Sequence, residues 1–148
     1  VDAGVDILSF GGTKNGMMMG EAVVSFRPEI TENLQYYRKQ SAQLASKLRY
    51  LSAQFIPYLE NNLWLENAMK ANISAAKLAE ALKQYPQIQF TQKVETNQIF
   101  FTIPAEPLKK LQDRYFFYNN EARLVTSWDT TGEDIAQFEQ DLKEIMGE

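Results

Sequence analysis

The sequence contains no cysteine and no histidine. The first absence leaves no disulfide framework and no thiolate metal site, which suits a cytoplasmic protein. The second removes Ser–His and Cys–His nucleophile pairs, and histidine-ligated metals, from anything this chain can house by itself. No apolar run approaches the roughly 20 residues of a membrane span, and the first residues lack the layout of a signal peptide, so no membrane partner is expected. Basic runs are missing too. With 15 Lys and Arg against 19 Asp and Glu the net charge is −4, which argues against a nucleic-acid surface. There are no repeats and no low-complexity segments.

What is present is the composition of an ordinary globular protein, 45% hydrophobic and 23% charged, long enough at 148 residues for one domain or a little more. The chain starts "VDAGVDILSF", without an initiator methionine, and enters a strand within a few residues. The expectation is a piece of a longer protein whose N-terminal part is missing. Val5–Phe10, bounded by glycines, reads as a buried strand, and Glu21–Phe26 as a second that "RPE" stops. Both read as inner members of a larger, mainly parallel sheet. A long helix is predicted from Pro28, with an apolar face at Leu34, Tyr37, Ser41, Leu44, Leu48, Leu51 and Phe55, broken or kinked by Pro57. A second long helix runs from about Asn61 to Tyr85, its inner side Leu65, Ala68, Met69, Ala75, Ala79 and Leu82.

Beyond Pro86 the texture changes. "IQFTQKV" and "QIFFTIP" read as strands joined by "ETN", and Pro107–Arg114 as a short helix. "YFFYNNEARLVTSW" holds one or two strands broken at Asn119-Asn120. Thr130 with Glu133 predicts a capping box for a last helix with the inner stripe Ile135, Phe138, Leu142 and Ile145. The class is α/β and α+β: strand, turn and strand, two long helices, then a small α+β unit.

One short stretch carries chemistry. "LSFGGTKNGMMMGEA" sets Lys14 in a glycine-bounded turn between two apolar runs. A solvated lysine is protonated at neutral pH and is a poor nucleophile. Desolvation at the mouth of a buried strand favours the free amine, which can form a Schiff base, and flanking glycines let backbone approach a bulky cofactor. That is the logic of a pyridoxal-phosphate lysine. Taken alone, the stretch is better described as a lysine at a solvent-exposed hairpin tip. A Walker phosphate loop is excluded by order, since Thr-Lys-Asn stands where Gly-Lys-Ser/Thr is required.

The longer text narrows the choice. "DILSFGGTKNGMMMGEAVV" and "RKQSAQLASKLRYLSAQF", followed by "WLENAMKANISAAKLAEAL", "TNQIFFTIP" and "ARLVTSWDTT", resemble in order the C-terminal part of the threonine aldolase family, on the side of its low-specificity L-threonine aldolases. That family stands with the aromatic β-eliminating lyases among the aspartate-aminotransferase-like, fold type I pyridoxal-phosphate enzymes. The resemblance implies that residues 1–60 derive from the large cofactor-binding domain and residues 61–148 form a linking helix and a small α+β domain. It also implies a missing segment that supplies the aspartate at the pyridine nitrogen and the histidine stacked on the ring. The isolated chain is then expected to be inactive.

By the same resemblance, Lys14 matches the lysine that holds pyridoxal 5'-phosphate. Thr13 stands where a hydroxyl reaches the phosphate or the lysine's surroundings, or simply ends a strand. Arg49 matches an arginine on the phosphate side, or is a helix-surface charge, and Lys39 matches a lysine near the substrate in relatives. Arg123 matches the arginine that grips the substrate's α-carboxylate, a task for which a guanidinium is suited by its two-pronged geometry. The Met17-Met18-Met19 run reads as packing. No metal is expected. The implied reaction is retro-aldol cleavage of L-threonine or L-allo-threonine to glycine and acetaldehyde, by a homodimer or homotetramer when intact. Two rivals stay open: a β-eliminating amino-acid lyase with the same cofactor, and a non-catalytic dimerising module.

Overall fold

The computed structural model describes residues 2–116 and 122–147. The chain falls into two units, Val1–Trp64 and Leu65–Glu148. In the first, β1 (Ile7–Gly11) and β2 (Glu21–Ser25) pair antiparallel, with Ile7 opposite Ser25 and Gly11 opposite Glu21. The expectation placed both strands in a larger, mainly parallel sheet; among the described residues each has the other as its neighbour. The chain returns on itself through residues 12–20, and a direct return of this kind produces antiparallel pairing. β1 is also exposed along most of its length rather than buried. Its apolar run, which suggested burial on two faces, has one strand for a neighbour in this sheet.

The long helix expected from Pro28 is three pieces: α1 (Pro28–Gln40), α2 (Arg49–Ser52) and α3 (Phe55–Leu59). Pro28 sits in the first turn of α1, where its missing N–H costs nothing. At the other end the Ser41 hydroxyl donates to the Tyr37 carbonyl at 2.8 Å, and Ala42 turns left-handed at φ 58°. A serine bonded this way competes with helix continuation. α1 also buries none of its residues, so no tertiary packing draws the helix onward. Pro57 lies in the first turn of α3, again where no N–H is needed, and Tyr58 beside it is buried. Asn61 and Asn62 are both left-handed, a conformation asparagine tolerates better than most residues, and they separate α3 from α4 (Leu63–Leu82).

The second unit is built on α4, on the antiparallel sheet β3 (Gln89–Phe90), β4 (Gln98–Thr102) and β5 (Ala122–Val125), and on α5 (Ala105–Gln112) and α6 (Gly132–Met146). β4 is central, with Phe101 facing Phe90 on one side and Ala122 on the other. Leu82, Ile99, Phe101, Leu111 and Leu142 are fully buried and fill the core of this unit. The four residues expected on the inner stripe of α6 are all buried. Two details differ from expectation. The capping box is Thr131 with Asp134, because the Thr130 hydroxyl accepts from Ser127 N–H at 2.8 Å and so belongs to the preceding turn. Along α4 up to residue 74 the buried positions are Asn67, Ala71 and Ser74, while Leu65 and Met69 are exposed. Polar residues occupy the inner face there, and apolar periodicity alone selects the wrong side. The break expected at Asn119-Asn120 lies outside the described residues.

α5 is tied to α6 by a polar cluster. The Tyr115 hydroxyl donates to Asp141 at 2.6 Å, and Arg114 bridges Asp141 at 2.7 Å and Glu144 at 3.0 Å. The Tyr115 hydrogen bond, aided by Gln137 and Arg114, holds the Asp141 carboxyl below its usual range. Burial, then the Asp141 hydrogen bond, pushes Tyr115 up to about 12. The two shifts give opposite pH windows. Asp141 contributes stability above its unfolded value near 3.8, lost as pH falls through the lower folded one. Tyr115 contributes below pH 10.0, and that contribution is lost as pH rises toward about 12. Tyr115→Phe is expected to flatten both limbs of the Tm–pH curve, removing this tyrosine's share of the alkaline one. Unchanged alkaline loss in the variant would exclude Tyr115 as its source.

Candidate lysine loop and anion-binding side chains

The nine residues between β1 and β2 are too many for a tight hairpin turn, so strand pairing alone leaves them loose. They are closed instead by their own backbone. Gly12 N–H donates to the Gly20 carbonyl at 2.9 Å, and the N–H groups of Asn15 and Met17 both donate to the Gly12 carbonyl, at 2.9 and 3.0 Å. Gly20 N–H donates to the Thr13 hydroxyl at 2.9 Å. Met17 is buried against the two glycines at the mouth. A Cβ on Gly12 would lie 2.0 Å from the Met17 sulfur, and one on Gly20 2.4 Å from its terminal methyl. These glycines make room for Met17, and Gly16 supplies the left-handed turn at φ 104°.

More distant side chains of the same unit hold the loop from outside. Asn15 Nδ2 donates to the Tyr58 hydroxyl at 2.6 Å and to the Trp64 carbonyl at 2.9 Å. The Gln54 amide accepts from Met18 N–H at 2.9 Å and donates to the Met19 carbonyl at 3.1 Å. Beneath, Phe10 packs with its ring centre 6.1 Å from Tyr58 and 5.9 Å from Trp64. The polarity of Asn15 and Gln54 carried no sign of these roles in the sequence. Both act across more than 35 residues, beyond the reach of local pattern.

Lys14 stands at the centre of this loop and is exposed. The desolvation expected at a buried strand end is therefore not provided within the described residues. What they provide is a backbone held on both sides of the lysine. The Thr13 hydroxyl is engaged with Gly20. Of the Met run, Met17 packs, whereas Met18 and Met19 are exposed, so the packing expectation holds for the first alone. Arg49 opens α2, with its guanidinium 5.0 Å from the centre of the Tyr50 ring. Lys39 is exposed in the last turn of α1. Thr13, Lys14, Lys39 and Arg49 thus belong to the first unit, and Lys14 and Thr13 share one loop.

Arg123 belongs to the second unit. It sits on β5 opposite Phe100 of β4, and strand alternation turns Ala122 inward and leaves Arg123 exposed. A guanidinium there can engage a carboxylate through two parallel bonds. A hollow of about 270 Å³ in the same unit is lined by Lys110, Asp113, Arg114, Glu144 and Ile145; Arg114 and Glu144 belong to the α5–α6 tie, and Lys110 pairs with Glu106 within α5. Among the described residues no helix is long and apolar enough to cross a membrane, and no group of acidic residues is placed to hold a metal ion.

No protein-family model matches the chain. It is 39% identical to the low specificity L-threonine aldolase of Pseudomonas aeruginosa over 150 residues, covering 98% of this chain and 43% of that protein. With the low specificity L-threonine aldolase of Pseudomonas sp. strain NCIMB 10558 it shares 37% identity, over 97% of this chain and 43% of that protein. In structure it matches threonine aldolase of Leishmania major with a TM-score of 0.85 and 26% identity, over 95% of this chain and 43% of that one. A glycine decarboxylase (P-protein) of the glycine cleavage system shares the fold, with a TM-score of 0.52 at 18% identity. The chain therefore spans less than half the length of the relatives it matches. Nearly end to end, in sequence and in mixed α/β fold, it is similar to one part of the low specificity L-threonine aldolases.

Proposed function

We propose that this chain is the lysine-bearing part of a pyridoxal 5'-phosphate-dependent lyase that cleaves L-threonine and L-allo-threonine to glycine and acetaldehyde. One observation carries the reading: within a chain similar to threonine aldolases along 97–98% of its length, Lys14 is an exposed amine on a loop held before it at Gly12 and Thr13 and after it at Asn15 and Met18. A reacting amine needs that combination of access and fixed origin. In this reading residues 1–60 come from a large cofactor-binding domain, and residues 61–148 are the linking helix and small domain. The remaining residues of the site come from the length that the chain does not cover, so these 148 residues alone do not turn threonine over. The intact protein is read as a cytoplasmic homodimer or homotetramer, on the family resemblance.

The donor set suits the cofactor. Lys14 offers a primary amine for its aldehyde carbon and Arg49 a guanidinium for its phosphate. When bound, the cofactor supplies an electron sink for the carbanion left as the substrate's Cα–Cβ bond breaks. Arg123 binds the α-carboxylate and so fixes the amino acid's orientation. Thr13 serves by closing the loop that carries Lys14. Lys39 adds positive charge in the same unit, on the substrate side by resemblance.

The test is product analysis on the catalytically complete protein. Glycine and acetaldehyde in equal amounts from threonine support the reading, whereas a 2-oxo acid with ammonia would identify a β-eliminating lyase instead. Within that assay Arg123→Lys is expected to raise KM for threonine about tenfold to a hundredfold, the scale of a lost charge-assisted pair of about 1.5–3 kcal/mol, with cofactor content unchanged. An unaltered KM would remove Arg123 from the substrate site.

A further inference from the structure

We propose that Gln54 is the positioning residue for Lys14, acting through the backbone of Met18 and Met19. The proposal rests on the reading of Lys14 as the cofactor lysine. The loop's own bonds fix residues 12 to 17 and the mouth at Gly20, and they leave the segment at Met18 and Met19 to be held from elsewhere. The Met18 side chain is 90% exposed, so packing does not hold it. The Gln54 amide does. Its Oε1 accepts from the N–H groups of Met18 at 2.9 Å and Met19 at 3.5 Å, while its Nε2 donates to the Met19 carbonyl at 3.1 Å.

A side-chain amide carries the same donor and acceptor as a peptide group, so Gln54 replaces the strand partner that this stretch of the hairpin lacks. Gln54 is itself held. Its Nε2 lies 3.4 Å from the Tyr50 carbonyl, and its backbone N–H donates to Leu51 at 3.3 Å. The anchor is therefore the α2–α3 segment, of which Arg49 is the first residue. One side chain thus couples the lysine loop to the element bearing the guanidinium proposed for the phosphate. Asn15, bonded to Tyr58 and Trp64, restrains the residue next to Lys14 on the same side, and the bonds of Gly12 and Thr13 to Gly20 hold the other flank. With the loop held at Gly12 and Thr13 before Lys14 and at Asn15, Met18 and Met19 after it, the Lys14 backbone has a fixed place while its exposed amine can reach a ligand. Reducing that freedom of origin lowers the entropy lost when the amine meets an aldehyde.

The experiment uses the catalytically complete protein, pyridoxal phosphate as the probe, borohydride to fix the adduct, and peptide mapping to locate it. In the parent, label is expected on Lys14 at least about tenfold above Lys39 and Lys47, the ratio one well-made hydrogen-bonded restraint sustains. Gln54→Met has similar length and no hydrogen bonds. It should lose that preference and raise amide exchange at Met18 and Met19 about tenfold, with protection in β4 and α6 unchanged. Gln54→Glu keeps an acceptor for Met18 N–H but not the donor to Met19, and should retain the preference in part, about threefold below the parent. A merely structural glutamine would change exchange without changing where the label goes, and that result overturns the proposal. A parent without preference for Lys14 overturns the cofactor reading itself. A parent with preference that Gln54→Met preserves overturns the positioning role alone. If Gln54→Met does not fold, Gln54→Glu decides, and full retention of the preference refutes the proposal.

Discussion

Lys14→Ala is expected to eliminate the borohydride-fixed pyridoxal adduct of the catalytically complete protein and to lower threonine cleavage on the order of a thousandfold or more, the scale seen when a covalent catalytic group is removed. The expectation rests on the setting of the residue. Lys14 is an exposed amine on a loop bonded at the backbone of Gly12 and Met18, the Thr13 hydroxyl and the Asn15 amide, so an alanine leaves those bonds untouched. Thermal stability should then stay within about 0.5 kcal/mol of the parent, as for other exposed substitutions away from caps and packing. Activity and stability therefore separate, which a folding defect could not imitate. Adduct on another lysine at parental yield, with turnover retained, would transfer the role away from Lys14.

Phe101→Ala is expected to have the opposite signature, a large loss of stability. Phe101 is 0% exposed, at the centre of β4, between Phe90 and Ala122 on neighbouring strands. Truncating a fully buried phenylalanine removes its transfer free energy and leaves a cavity, about 3–5 kcal/mol together. Domains of this size are stable by about 5–15 kcal/mol, so the second unit should lose a large part of its margin, with Tm lowered by about 15 °C or more. Met69→Ala on α4 is the control: Met69 is half exposed, and its loss should cost no more than about 0.5 kcal/mol. Equal melting curves for the two variants would show that Phe101 is not a keystone of this core.

The differing outcomes trace to different information in the chain. The α6 stripe, the strands of the second unit and the glycine-bounded turn around Lys14 were legible because each depends on neighbours a few residues away. Periodicity records which face a helix buries, provided the buried face is apolar. It failed on α4 up to residue 74, where Asn67 and Ser74 point inward, and on the stretch after Gln40, where a serine hydroxyl and a left-handed alanine stop a helix whose apolar spacing continues. An apolar run likewise does not state which strand lies beside it, and here β1 pairs antiparallel with β2 and is exposed along most of its length.

By itself, then, the sequence determined the class of fold, the amphipathic faces of the last helix, and the one lysine set apart by glycines; these are properties of short segments, written in residue type and spacing. Tertiary structure decided how that lysine is presented. Gln54, Tyr58 and Trp64 reach its loop from 35 to 49 residues away, the last two through Asn15, by hydrogen bonds whose donors and acceptors any exposed polar residue also carries. Such bonds exist once the chain has folded back on itself, and their geometry is a consequence of that fold rather than of any local pattern.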